Sequence, residues 1–366
     1  MNVTIQTLTS VEQFSYISIA ILCVLSLGVV TVNFICLVIV KTSKKMSNRP
    51  SIHFIINLLV VDLLQGLFVI PIYAIRKLNT QSGFWDSVIC SSFRFLYMLT
   101  YYMSIFCVLL IALDRYIATT FVFKYKTLIK IKTVRIIISV TWIYVTVLCL
   151  IPFFKTSTQS ENDFCLYRQT DAWTITMLFL HCFVPYLLIL FFYKSIFKHI
   201  RDIENESGRT DDTSLTDGAT FSQHNVSTFN GINAIYLSIR NKKKIPENTR
   251  NILKISVFIS ICYAICWTPS VIYYVLSTFC PEKCFSKTYM NSVNQTYLEF
   301  VIKYLGFLNS LAAPMIYCFT VKEFRFQLCS RQKKVICNSL KDQSFTNVKN
   351  YDKVQLRTIN KLKGLP

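Results

Sequence analysis

The chain has 366 residues, of which 53% are hydrophobic and 16% are charged, and its formal net charge is +20. Soluble domains rarely combine so many apolar residues with so few charged ones, so the composition indicates a membrane protein. A basic excess of this size can indicate nucleic-acid binding, but here the basic residues lie between long apolar runs. We therefore expect no nucleic-acid partner.

Seven apolar runs are long enough to cross a membrane as helices, because a bilayer core of about 30 Å takes about 20 helical residues. In chain order they occupy residues 15–41, 51–75, 89–119, 134–153, 172–198, 251–278 and 297–320. The seventh run is the weakest, since Glu299, Lys303 and Asn309 interrupt it. No sheet-like alternation competes with this pattern, so the predicted fold is an all-α membrane protein, a seven-transmembrane helix bundle over residues 15–320.

The basic residues predict the orientation of the bundle. Most of the 39 Lys and Arg residues fall in three alternate loops and in the tail after Thr320. The positive-inside rule places these segments in the cytoplasm, beside the anionic membrane lipids, and makes residues 1–14 extracellular. Asn2 is then the first residue of a glycosylation sequon on the outer side. On the inner side, the polar loop at about 200–245 is predicted to be flexible.

Six cysteines lie outside the apolar runs or at their ends. Four of them are on the predicted outer side, namely Cys90, Cys165, Cys280 and Cys284. An even number in an oxidising compartment predicts two disulfides, whose connectivity the cysteine count leaves open. Cys329 and Cys337 follow the seventh run on the inner side, where both are candidates for palmitoylation.

Polar residues and prolines recur inside the predicted spans as one landmark per span. They include Asn33, the Asn57–Asp62 stretch, Asp114-Arg115-Tyr116, Trp142, Pro185 with Tyr193, Cys266-Trp267-Thr268-Pro269, and Asn309 to Tyr317 with Pro314. Polar groups inside a membrane are costly and need a reason. In the order and spacing of these landmarks the chain resembles the rhodopsin-like, or class A, G-protein-coupled receptors from Asn33 to about Cys329.

The resemblance implies an activation switch. In that family Asp114 would restrain Arg115 at rest, Trp267 would lie beneath a ligand pocket, and Tyr193 and Tyr317 would support Arg115 after the sixth helix moves outward. Tyr116 completes the Asp-Arg-Tyr motif, and Pro269 and Pro314 would act as hinges. The implied partners are a heterotrimeric G protein and arrestin, at the plasma membrane, with an amphipathic eighth helix at 321–330 and a cytoplasmic tail at 331–366.

Two positions depart from the family pattern. Thr249 stands where the family carries an acidic residue that restrains the sixth helix, so we expect appreciable signalling without ligand. Asp62, Ser104 and Asn309 match positions that help to hold an allosteric sodium ion. Ala313 replaces a further oxygen ligand of that ion, which argues against tight sodium binding, and no other cofactor or metal is expected.

The resemblance also pairs Cys90 with Cys165, and the spacing of Cys280 and Cys284 would suit a second, small disulfide loop. It excludes two ligand classes by position. Tyr97 stands where amine receptors carry an aspartate, and Phe307 stands where opsins carry the lysine that binds retinal.

Charged residues near the outer end of the bundle leave two interpretations open. Glu299 and Lys303 are four residues apart and can pair along one helix face. Alternatively, Arg94 and Lys303 bind a carboxylate or phosphate of an extracellular ligand, and the residues that would assist them are Tyr97, Tyr101, Tyr273 and Tyr274. A lone His181 in the fifth span could face the same pocket or pack silently.

Three functions compete at this point. The first is a signalling receptor with no chemistry of its own, because no nucleophile with a base, metal-spaced cluster or phosphate loop is visible. The second is a receptor-like partner that does not signal, which the departure from the family pattern at Ala313 would indicate. The third is a seven-helix transporter using Asp62, Glu299 and Lys303 as a relay, which predicts internal repeats that the sequence does not display.

Overall fold

All regular structure among the described residues is helical. The computed structural model describes residues 2–77, 84–154, 171–216, 247–280 and 292–320. In chain order its α-helices are α1 (Asn2–Thr42), α2 (Lys44–Ser47), α3 (Pro50–Leu64), α4 (Ile70–Lys77), α5 (Phe84–Thr120), α6 (Val122–Leu128), α7 (Ile131–Phe154), α8 (Asp171–Leu178), α9 (Val184–Thr216), α10 (Glu247–Phe279) and α11 (Ser292–Thr320). Two π-helical segments complete the description, Gln65–Val69 between α3 and α4 and Phe179–Phe183 between α8 and α9.

Seven continuous helical units match the seven predicted spans. They are α1, α3 with α4, α5, α7, α8 with α9, α10 and α11. Six of them are long and apolar enough to cross a membrane within the described residues. The seventh, α11, contains Glu299 and Lys303, which lower its hydropathy although its length of 29 residues suffices. The predicted all-α seven-helix bundle is confirmed.

Two helices extend beyond the segments predicted for them. Helix α1 already begins at Asn2, so the helix includes most of the N-terminal segment that precedes the predicted first span. Helix α9 continues to Thr216, so the first part of the segment at about 200–245 is helical. Each further residue adds one backbone hydrogen bond to an existing helix. Residues 217–246 and the predicted eighth helix lie outside the described part of the chain.

Helix α5 forms the centre of the bundle, since it packs against α3, α7, α9 and α10. Helix α7 is peripheral and carries an exposed apolar stripe at Ile136, Val140, Ile143 and Val147. These residues follow a helical spacing along one face of α7. Exposed apolar stripes of this kind suit contact with lipid tails, whereas the polar landmark residues face inward.

Both π-helical segments end two residues before a proline, Pro71 in the second span and Pro185 in the fifth. Proline lacks a backbone N–H and its ring displaces the carbonyl four residues earlier, so a wider turn relieves the clash. The first segment also contains a close approach at Gly66. A Cβ added there would lie 2.8 Å from Val29 Cγ1, and the Ser26 hydroxyl donates to the Gly66 carbonyl oxygen at 2.8 Å.

We expect Gly66→Ala to destabilise the bundle, because the stiff β-branched side chain of Val29 would have to move. Overpacking of this kind costs about 1–3 kcal/mol. The measurement is the melting temperature of the purified protein in lipid nanodiscs. Gly28→Ala is the matched control, since a Cβ there meets nothing within 4 Å. Equal melting temperatures for the two variants would contradict the packing described here.

Candidate functional site

Arg115, near the end of α5, forms a buried ion pair with its neighbour Asp114. The two residues are only 5% and 3% exposed. The Arg115 Nε donates to Asp114 Oδ2 at 3.0 Å, and Nη2 contacts the same oxygen. The structure therefore brings together the pair that the Asp-Arg-Tyr motif suggested. Tyr116, the third residue of the motif, stacks on Phe192 of α9 with ring centroids 5.2 Å apart.

Two further residues close this pair into a network, and sequence reasoning missed both of them. The Arg115 Nη2 donates to the Ser51 hydroxyl in α3, which lies 2.9 Å from the Tyr125 hydroxyl in α6. Tyr125 in turn donates to Asp114 Oδ1 at 2.8 Å. Burial, and then the Asp114 carboxylate, raise the pKa of Tyr125 to about 12, so the phenol keeps its proton and remains a donor. We call these four residues the Arg115 network.

Tyr193 links the fifth and sixth spans. Its hydroxyl lies 3.0 Å from Ser260 Oγ in α10. Because the Ser260 hydroxyl donates to the Ser256 carbonyl oxygen, Tyr193 is the donor in this pair. The helical backbone of α11 includes Tyr317, but its side chain lies outside the described part of the structure, as does that of Thr249.

Buried oxygens surround Asp62 in the middle of the bundle. The Ser310 hydroxyl donates to Asp62 Oδ1 at 2.9 Å, and Asn33 Nδ2 donates to the Ser310 carbonyl oxygen at 2.9 Å. Asp62 Oδ2, Ser104 Oγ and Asn33 Oδ1 are buried and have no hydrogen-bond partner within the part of the chain that the structure describes. Such oxygens suit a hard cation. Asn309 is buried one residue before Ser310, while the buried side chain of Ala313 supplies no oxygen.

Trp267 is almost fully buried, and aromatic rings surround it. Its ring centroid lies 4.5 Å from that of Tyr101 and 6.0 Å from that of Tyr97. A Cβ added at Gly306 of α11 would lie 3.2 Å from the Trp267 ring, so the glycine permits this close packing. Pro269 and Pro314 lie within α10 and α11, as predicted.

A line of aromatic rings leads from Trp267 toward the end of the bundle where α4 ends. Tyr97 stacks on Phe93 at 5.5 Å, and Phe93 stacks on Tyr73 of α4 at 5.4 Å. Aromatic pairs at these separations interact beyond simple burial. We call Tyr73, Phe93, Tyr97 and Trp267 the aromatic ladder.

Lys303 lies at the far end of this ladder. Its Nζ is 3.8 Å from Glu299 Oε2, one helical turn earlier in α11, so the pair expected from the sequence is present. The Tyr273 hydroxyl also donates to Glu299, at 3.1 Å. Lys303 Nζ further lies 5.1 Å from the Tyr73 ring centroid and 5.8 Å from that of Phe93.

Two more cations join Lys303, and sequence reasoning did not include them. Arg76 lies over Phe93 at 5.1 Å, and Lys77 lies over Tyr73 at 5.7 Å. Arg94, which the sequence suggested as a partner of Lys303, lies instead over Phe153 of α7 at 4.7 Å. Arg94 points to the fourth span because it lies on a different face of α5 from Phe93, one residue away. The described contacts thus favour Arg76 and Lys77 over Arg94 as neighbours of Lys303.

His181 is buried, and its Nε2 lies 2.6 Å from the Tyr144 hydroxyl of α7. This hydrogen bond joins the fourth and fifth spans, so the histidine has a packing role. Nearby, the Tyr101 hydroxyl lies 2.9 Å from Cys182 Sγ. Tyr274 is partly exposed, and its ring contacts that of Tyr273 at 5.9 Å.

Cys90 and Cys280 each take part in a disulfide. The residues predicted to pair with them, Cys165 and Cys284, lie outside the described part of the chain, so both pairings stay predictions. The same holds for palmitoylation of Cys329 and Cys337. The side chain of Asn2, the predicted glycosylation site, also lies outside the described residues.

Comparison with known proteins identifies the family. A model described as "7 transmembrane receptor (rhodopsin family)" matches residues 32–317. The 5-hydroxytryptamine receptor 1B of Cricetulus griseus is 24% identical over 337 residues, which cover 84% of this chain and 84% of that protein. The alpha-1A adrenergic receptor of Rattus norvegicus is 25% identical over 289 residues, which cover 75% of this chain and 58% of that protein.

The family match runs from α1 to α11 and includes the Arg115 network, the oxygens around Asp62 and the aromatic ladder. The chain therefore belongs to the rhodopsin family of seven-transmembrane, G-protein-coupled receptors, and it is a receptor rather than an enzyme.

Proposed function

We propose that this receptor transmits the binding of an extracellular ligand to a heterotrimeric G protein by an outward movement of the sixth span, α10. The Arg115 network is the observation that carries the proposal. It ties α3, α5 and α6 together at the end of the bundle where the basic loops lie. With the N-terminus extracellular, that end faces the cytoplasm, where a G protein is available.

The network supports a two-state mechanism because a buried guanidinium is always charged and needs partners. At rest Asp114 and Ser51 supply them, and Tyr125 bonds to both of these residues. An inserted G protein would supply others in the active state. A ligand shifts such an equilibrium only by binding one state more tightly than the other.

The contacts of the sixth span suggest how ligand binding could affect the end of the bundle that contains Arg115. Movement of α10 would break the Tyr193–Ser260 hydrogen bond and free Tyr193 to support Arg115. Trp267, on the same helix, ends the aromatic ladder and would sense a ligand that rearranges it. The surface opened by this movement would also accept arrestin.

A ligand of the type named for the relatives is a second candidate. The first relative is named for 5-hydroxytryptamine, an amine. In this chain the buried Tyr97, a neutral phenol, stands where amine receptors carry an aspartate. Among the described residues of this pocket, an amine would rely on Glu299, which already pairs with Lys303 and Tyr273. We therefore favour a ligand whose binding does not depend mainly on an ammonium group.

A receptor-like partner that does not signal remains the competing function, because Ala313 removes a polar side chain from the motif that ends at Tyr317. Such a protein would retain the fold and the buried Arg115 but would fail to activate any G protein. A transporter is the weaker alternative, since the family match covers α1 to α11. A measurement of nucleotide exchange separates these functions.

We expect the purified full-length receptor in nanodiscs, without ligand, to accelerate nucleotide exchange on at least one G-protein family. Arg115→Ala should remove this activity, because it removes the charge that the G protein would engage. Arg135→Ala is the matched control, since Arg135 is an exposed arginine of α7. Exchange equal to that of empty nanodiscs with every G-protein family, or exchange unaffected by Arg115→Ala, would contradict the proposal.

We also propose that Asp62, Ser104 and Asn309 help to bind an allosteric sodium ion, with the unpaired oxygens of Asp62 and Ser104 as its main support. Sodium should then raise the melting temperature relative to choline at equal ionic strength. A ligand present at its Kd stabilises by about 0.4 kcal/mol, so a shift of about 1 °C is expected. Asp62→Asn should abolish the difference, while Asp202→Asn, in the exposed part of α9, should retain it. Equal melting temperatures in both salts would exclude the site.

A further inference from the structure

We infer that the hydroxyl of Tyr263 destabilises the resting state and thereby sets the level of signalling without ligand. Tyr263 lies within α10, the span that moves in the proposed function, one helical turn before Trp267. The inference rests on that proposed function, because it names a residue that would regulate the same switch. It concerns a polar group that belongs to the chain itself rather than a bound ligand.

The ring of Tyr263 is enclosed by the bundle. The residue is 1% exposed and is among the largest side chains that the described residues bury almost completely. Its ring centroid lies 6.0 Å from that of Tyr186 in α9 and 6.1 Å from that of Trp267. Aromatic rings at these separations attract one another beyond simple burial. The surroundings therefore suit the apolar part of the side chain.

The hydroxyl of the same residue is buried without a hydrogen bond. Among the residues that the structure describes, none bonds to the Tyr263 oxygen. Most buried tyrosine hydroxyls have a partner, because one without a partner has lost its bonds to water and gained nothing in return. The interior of a membrane bundle offers little water to replace them. The hydroxyl therefore raises the free energy of the resting state relative to a phenylalanine at this position.

Tyr101 shows the contrast, because it also contacts the Trp267 ring, with centroids 4.5 Å apart. Its hydroxyl lies 2.9 Å from Cys182 Sγ and so has a partner. The two tyrosines thus reach the same indole from different spans, Tyr101 from α5 and Tyr263 from α10. They differ in whether the hydroxyl is bonded, which makes Tyr101 the matched comparison.

Trp267 repeats the feature of Tyr263 one turn later in α10. Its Nε1 is buried, and no described residue accepts a hydrogen bond from it. Both side chains are only 1% exposed. The sixth span therefore carries two consecutive polar atoms into the interior without partners. Because both lie on the span that moves, both change surroundings when the switch changes state.

An unbonded group biases a two-state equilibrium when the other state supplies a partner. An outward movement of α10 would open the cytoplasmic end of the bundle and let water approach the inner face of this helix. Water would then bond to the Tyr263 hydroxyl, so its free-energy cost would be smaller in the active state than at rest. The Tyr193–Ser260 hydrogen bond, one turn away, acts in the opposite direction because the movement breaks it.

The test compares Tyr263→Phe with Tyr101→Phe in the purified full-length receptor in nanodiscs. Each variant removes one hydroxyl and keeps the ring, so both should fold. We expect Tyr263→Phe to raise the melting temperature by about 2 °C and to lower ligand-free nucleotide exchange about tenfold, because the unbonded hydroxyl is gone. Tyr101→Phe should lower the melting temperature, because it removes a bonded hydroxyl.

A second measurement reports the sixth span without a G protein. Hydrogen–deuterium exchange of the backbone at residues 250–262 follows the opening of the inner half of α10. We expect this exchange to be slower in Tyr263→Phe than in the unmodified receptor. Slower deuterium exchange in a receptor that activates no G protein would refute the proposed signalling function and leave the inference about Tyr263 supported.

Two results would overturn the inference. An unchanged or lower melting temperature for Tyr263→Phe would mean that the hydroxyl is bonded at rest, to water or to another group. A higher melting temperature with deuterium exchange, or measurable nucleotide exchange, that is unchanged or faster would mean that the hydroxyl does not favour the active state. In either case the Arg115 network and the proposed function would stand unaffected.

Discussion

A guanidinium that cannot lose its charge, buried at one end of a lipid-embedded bundle, must have partners in every stable state of the protein. Arg115 obtains them from Asp114 in its own helix and from Ser51 in α3, and Tyr125 of α6 holds both partners by hydrogen bonds. Removing one partner of a buried charge costs far more than an exposed ion pair contributes. The arrangement of α3, α5 and α6 around Arg115 therefore defines the resting state, and any change of partner defines a different state.

The same constraint operates at two other levels of the bundle. In the middle, Asp62 has one carboxylate oxygen bonded to Ser310 and one without a hydrogen-bond partner among the described residues. At the opposite end, Lys303 lies over Tyr73 and Phe93 and pairs with Glu299. The aromatic ladder connects that end to Trp267. Each level holds a buried or half-buried charged group whose partners a ligand, an ion or a G protein could change.

Sequence predicted the features that depend on composition and on local pattern. Hydropathy gave the seven spans, and landmark spacing identified Asp62, Arg115 and Trp267 as members of a family pattern. Sequence analysis did not identify Ser51 and Tyr125, because neither belongs to a landmark. Each joins the Arg115 network only through the packing of separate helices. Sequence analysis did not identify Arg76 and Lys77, because basic residues commonly end a span. Their contacts with Phe93 and Tyr73 are visible only in the folded structure. Helix α9 extends beyond the end of the apolar run because helix propagation needs no apolar residues.

The most direct test of this account is ligand-free nucleotide exchange in a double-mutant cycle of Ser51→Ala and Tyr125→Phe, with Tyr16→Phe on the exposed face of α1 as control. Each network variant removes two hydrogen bonds, together worth about 2 kcal/mol, so each should raise basal exchange about thirtyfold. Because both act on one closed network, the double variant should rise by less than the product of the two single effects. Unchanged or lower exchange in both single variants, or fully multiplicative effects, would contradict the claim that the Arg115 network holds the receptor at rest.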